Sequence, residues 1–131
     1  MSEALILFGH GARDPRWRAT LDALAQQIER RSPGTVVQPA FLEFMEPDLA
    51  QAVEHLVDAG HCALVVMPMF LAEGGHVLRD LPQQLAAIQA KHPGLSIRVE
   101  PALGRHPEVL DAMARVCLAA CASAGTDSNP V

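Results

Sequence analysis

Two stretches of this chain are apolar at every position. They are Ala4-Leu-Ile-Leu-Phe8 and the longer run from Cys62 through Met67 to Met69. A strand with one wet face alternates polar and apolar residues. A strand without alternation must be covered on both faces, as in the middle of a parallel sheet. Each run ends in a loop of glycine and histidine, Gly9-His10-Gly11 after the first and Gly74-Gly75-His76 after the second. The chain must therefore surround two buried strands with helices and leave an imidazole just beyond each.

The rest of the chain supplies that cover. Asp14 is placed to cap a helix with Pro15 at its first position. Trp17, Leu21, Leu24, Ala25 and Ile28 fall on one helical face, and Ser32-Pro33-Gly34 ends it. Thr35 to Leu42 reads as a second strand. Pro39 within it cannot donate to a ladder, which places it at an edge. Pro47-Asp48 opens a second helix with Leu49, Ala52, Val53, Leu56 and Val57 inward and Gly60 at its end.

After Cys62–Met67, a third helix is marked by Leu78, Leu81, Leu85 and Ile88 and stops near His92-Pro93-Gly94. Leu95 to Glu100 alternates, as a half-exposed fourth strand would. A last helix is expected to turn Val109, Leu110, Met113, Ala114 and Cys117 inward. Four βα units predict an α/β domain with a parallel sheet in the order 2-1-3-4 and helices on both faces. Residues 1–121 are expected to form this single domain, and 122–131 a disordered tail. In such sheets ligands bind beyond the carboxyl ends of the strands, where the strand order reverses, here between strands one and three.

Composition narrows the function. The chain has 131 residues, a net charge of −5, 50% hydrophobic and 19% charged residues. That suffices for a real core and argues against disorder. The acidic balance gives no general attraction to nucleic acid or anionic membrane, and no run approaches a membrane span. Met1-Ser-Glu-Ala lacks the basic region of a signal peptide, so the cytoplasm is the expected compartment. Three cysteines do not make a disulfide framework. Cys117 and Cys121 share a helix face and are read as small buried thiols rather than a metal pair.

His10, Glu43 and His76 follow strands one, two and three, so their loops open on the same edge of the sheet. Two imidazoles and a carboxylate there could hold a divalent transition metal with open positions, or serve as general bases. Arg13, Arg16, Arg18, Arg79, Arg105 and His106 belong to the same edge. They read either as ordinary solvated cations or as a rim for a polyanionic small ligand. Gly9-His-Gly-Ala-Arg-Asp14 lacks the full glycine spacing of a dinucleotide fingerprint. Neither a phosphate loop nor a nucleophile-elbow serine is present.

These segments resemble the small sirohydrochlorin chelatases of the CbiX type, relatives of the class II chelatases. The resemblance lies in Phe8 to Pro15, Leu42 to Pro47, Pro68 to Pro82 and Ala102 to Pro107, with Ala12 where the family commonly has serine. It implies a three-layer chelatase-like domain and a lyase that inserts Co²⁺, Fe²⁺ or Ni²⁺ into sirohydrochlorin, in cobalamin or sirohaem synthesis. By the resemblance, His10 and His76 bind the metal and accept pyrrole protons, and Glu43 assists. Arg13, Phe44, Met45, Phe70, Leu71, Gly74, Gly75 and Arg79 are expected to meet the macrocycle. The metal is a substrate, and no permanent cofactor is implied. Many bacterial members are two fused copies, so a single unit is expected to pair as a homodimer. The alternative is a protein that binds and delivers metal or tetrapyrrole without catalysis.

Overall fold

The computed structural model describes residues 3–72 and 75–126, with the side chains of 75–78 and 123–126 left aside. Its strands are β1 (Ala4–Gly9), β2 (Val37–Phe41), β3 (Ala63–Pro68) and β4 (Ser96–Val99). Its helices are α1 (Ala19–Arg31), α2 (Leu49–Asp58), α3 (Gly75–Lys91) and α4 (Pro107–Thr126). The strands pair in parallel in the order β2-β1-β3-β4, as the two apolar runs required.

The alternation of side chains across each strand explains why both central strands are apolar throughout. Ile6, Phe8, Leu64 and Val66 point to one face. There they pack with Leu49, Ala52, Val53 and Leu56 of α2 and with Leu81 and Ile88 of α3. Leu7 points to the other face, with Val37 and Phe41, under Leu21 and Ala25 of α1. Each large side chain buried in this way contributes roughly 1.5–3 kcal/mol, so neither face tolerates a polar residue. Pro39 lies in edge strand β2, where its missing donor costs no ladder bond.

Local signals set the helix starts. Asp48 accepts from the Gln51 amide at 2.8 Å, and the Gln51 side chain accepts from the Asp48 amide at 2.9 Å. This reciprocal cap fixes where α2 begins, just past the carboxyl end of β2. Asp14 caps as expected, but it starts a 3-10 turn, Pro15–Arg18, and α1 follows from Ala19.

The last helix departs from expectation. Val109 and Met113 are half-buried, but Leu110, Ala114 and Cys117 are exposed, and so is every residue from Ala114 to Ala122. α4 packs on the short turn before it, Leu103–Arg105, and then runs past the domain's edge. Cys117 and Cys121 are therefore exposed rather than buried, as is Cys62, which lies just outside β3. α4 continues to Thr126, into the segment expected to be a tail; residues 127–131 lie outside the described part. Among the described residues no helix is long and apolar enough to cross a membrane.

Candidate active site

The carboxyl ends of β1, β2 and β3 are tied together by backbone bonds that run beyond the strands. The Leu42 amide donates to the Gly9 carbonyl at 2.9 Å, and the Glu43 amide to the His10 carbonyl at 3.2 Å. On the other side the Met69 amide donates to the Phe8 carbonyl at 2.8 Å. The loops after β2 and β3 are thus both registered on the loop that carries His10.

Gly11 makes the first approach possible. Its φ is +88°, and a Cβ there would overlap the carbonyl oxygen of Glu43. Only glycine allows the Glu43 loop to come this close. The residue directly after Glu43, Phe44, has φ 66°. A bulky side chain held there costs of order 1–3 kcal/mol. The backbone turn leaves the Phe44 ring 57% exposed at the edge of the site, with the Arg13 guanidinium 4.8 Å from the ring centroid.

The His10 imidazole is exposed and stands edge-on to the Phe70 ring, with centroids 5.3 Å apart. Phe70 packs edge-on to Phe8 in turn, at 6.1 Å, so a core aromatic holds the aromatic beside His10. Leu71 is 71% exposed next to it. This loop is braced from behind by Gly104, whose amide donates to the Phe70 carbonyl at 2.9 Å. A Cβ on Gly104 would overlap the Leu71 carbonyl oxygen. No sequence signal marks the bracing role of Gly104, because a contact between loops after different strands leaves no local pattern.

His76 is the second residue of α3; its side chain and residue Gly74 lie outside the described part, and Gly75 is the first helical residue. Among the described residues no three His, Cys, Asp or Glu side chains are placed to share an ion, and His76 is not one of them. Arg79 is exposed on α3. Met45 is half-buried and packs on the α1 side of the core. Met69 does the same.

The cationic rim is narrower than the sequence suggests. Arg16 is bound to Asp14 at 2.7 Å, which holds that carboxyl below its usual value. Arg18 is bound to Asp22 at 3.2 Å, donates to the Glu46 carbonyl at 3.1 Å and lies over Phe41. A His106 ring nitrogen sits 3.0 Å from the Pro101 carbonyl. Arg13 and Arg79 form no ion pair among the described residues, which leaves them as the rim cations open to an anionic ligand. Beside the site, an apolar recess of about 280 Å³ opens between Phe41, Leu42 and Leu49 on one side and Gln84 and Ile88 of α3 on the other.

A four-stranded parallel sheet with a histidine-bearing loop at the order reversal defines an α/β domain with an open site on its carboxyl edge. The CbiX family model matches residues 4–119, and the chain belongs to that family. It is 39% identical over 90 residues to the sirohydrochlorin cobaltochelatase of Methanocaldococcus jannaschii, covering 69% of this chain and 63% of that one. The chain thus spans just under two thirds of that relative's length. Among solved structures, a cobalamin biosynthesis CbiX protein from Marinobacter aquaeolei superposes with a TM-score of 0.82 at 29% identity, over 95% of this chain and 99% of that one. The sirohydrochlorin chelatase SirB from Bacillus subtilis in complex with cobalt superposes at 0.76. At 24% identity it shares the fold, over 90% of this chain and 50% of that one.

Proposed function

We propose that this chain is a sirohydrochlorin chelatase, a lyase that inserts Co²⁺, Fe²⁺ or Ni²⁺ into the tetrapyrrole in cobalamin or sirohaem synthesis. The observation that carries the reading is the placement of His10. It is an exposed imidazole between two aromatic-bearing loops, with Glu43 hung from its own backbone carbonyl. The chemistry matches the arrangement. Two pyrrole N–H protons must leave as the metal enters, so bases must stand near the ring. A neutral imidazole is also a fitting intermediate ligand for these ions.

In this reading His10 and His76 hold the incoming metal and take the protons, and Glu43 assists. Phe44, Phe70 and Leu71 contact the flat macrocycle, Gly74 and Gly75 allow it close to the backbone, and Arg13 and Arg79 meet its carboxylates. Met45, next to Phe44 in the same loop, adds apolar contact to the macrocycle. The protein works in the cytoplasm on a small molecule, without nucleic acid or membrane, as a pair of identical chains.

The test is anaerobic absorbance spectroscopy of sirohydrochlorin with each metal, with and without protein. Acceleration over the spontaneous rate for at least one metal is expected. Binding of metal or tetrapyrrole without acceleration for any metal would leave a delivery protein instead.

A further inference from the structure

The His10 imidazole is directed by an aromatic ring. A histidine that binds metal usually donates its second ring N–H to a carboxylate or a backbone carbonyl, and that bond fixes the direction of the ring. Among the described residues no such group is bonded to the His10 ring, and its neighbour is Phe70, edge-on at 5.3 Å. Orienting His10 therefore falls to Phe70, and whatever holds Phe70 holds the imidazole.

Phe70 is held from two sides. Before it, the Met69 amide donates to the Phe8 carbonyl at 2.8 Å, which ties the loop to β1. Behind it, the Phe70 carbonyl accepts from the Gly104 amide at 2.9 Å, and the Leu71 carbonyl oxygen occupies the place a Cβ on Gly104 would need. Gly104 is buried within residues 100–106, which join β4 to α4.

His106 closes this connection. Its ring atom Nε2 stands 3.0 Å from the Pro101 carbonyl oxygen. A carbonyl oxygen only accepts, so Nε2 carries the proton in this bond. The His106 amide donates to the Leu103 carbonyl at 3.2 Å, and its carbonyl accepts from the Val109 amide at 3.0 Å at the start of α4. An apolar cavity of about 300 Å³ lies between Val99 and Ala102 on one side and Leu81, Pro82 and Leu85 of α3 on the other. Packing on α3 thus leaves the connection room to shift, and its hydrogen bonds must fix it.

We propose, resting on the chelatase reading, that Gly104 and His106 are positioning residues for metal insertion. His106 closes the connection 100–106, the closed connection seats Gly104 under Phe70 and Leu71, and Phe70 directs the His10 imidazole. Neither residue acts on the metal or the macrocycle itself.

His106→Leu and His106→Gln test this. Leucine removes the donor, and glutamine returns an N–H near the position of Nε2. His106→Leu should lower kcat for insertion by on the order of 10- to 100-fold, as the loss of a support behind a metal-binding histidine does. KM for sirohydrochlorin should stay within about twofold, and His106→Gln should recover most of the loss in kcat. A second readout needs neither metal nor tetrapyrrole. In the NMR spectrum of the protein alone, the His10 Cε1–H signal lies in the ring current of Phe70. It should shift in His106→Leu and return in His106→Gln. In the unaltered protein a nuclear Overhauser effect should join the His10 and Phe70 rings, and the Gly104 amide should exchange slowly. A kcat or a His10 signal unmoved in His106→Leu, a glutamine variant no better than leucine, or no effect between the two rings would overturn the inference. If the unaltered protein accelerates insertion for no metal, the chelatase reading falls, and the His10 signal alone decides whether this connection directs that ring.

Discussion

The Glu43 amide donates to the carbonyl of His10 at 3.2 Å. The two residues expected to share the chemistry are therefore linked through backbone, whatever their side chains do. The link extends the β1–β2 ladder past the end of β2, and it exists because Gly11 lets the Glu43 carbonyl in.

Gly11→Ala should break that link. The added Cβ overlaps the Glu43 carbonyl oxygen, and φ +88° strains any L side chain. We expect a loss of about 1–3 kcal/mol in urea denaturation, together with a fall in metal insertion as Glu43 moves off His10. Unchanged stability with full activity would mean the Glu43 loop can be held elsewhere.

His10→Ala and His76→Ala should each slow insertion by on the order of 10²-fold, as expected for lost acid–base groups. Stability of the His10 variant should hardly change, since the imidazole is exposed. A rate near that of the unaltered protein in either variant removes that histidine from the site.

Phe44→Gly separates strain from binding. Glycine accepts φ 66° without penalty, so the thermal midpoint should hold or rise. The exposed ring and its contact with Arg13 are lost, and KM for sirohydrochlorin should rise about 5-fold for ~1 kcal/mol of contact. Steady-state kinetics beside a thermal melt decide the matter; a lower midpoint with unchanged KM would make Phe44 a structural residue.

Asp14 predicts an acid-side effect. Hydrogen bonds from the Arg16 side chain and then its amide lower the Asp14 pKa from the ordinary value of 3.8. A carboxyl whose folded pKa is depressed contributes stability above its unfolded pKa and loses it as pH falls through the folded one. The contribution should be complete above 3.8 and fade below it. Asp14→Asn should therefore lower the thermal midpoint near neutrality and show a flatter decline in acid, as melts across that range would reveal. Equal slopes in acid would exclude Asp14 from the transition.

Most of the fold was legible because its signals are local or follow from handedness. Uniformly apolar β1 and β3 had to be central, Pro39 had to be at an edge, and Pro47-Asp48 announced the start of α2. The ion pairs of Arg16 with Asp14 and Arg18 with Asp22 lie two and four residues apart. They were open to reading from spacing, yet the cluster suggested a free cationic rim. α4 misled for a different reason. Its apolar period says that a face is to be buried but not against what, and Leu110, Ala114 and Cys117 are exposed.

The sequence by itself determined a parallel α/β domain with its site on the carboxyl edge, because hydrophobic period, caps and crossover hand act between near neighbours. Only the tertiary structure decided how the loops meet there: Gly11 beneath Glu43, Phe70 beside His10, Gly104 behind Leu71. These contacts join segments far apart in the chain through backbone atoms that every residue has. No side-chain pattern announces them before the sheet brings its strand ends together.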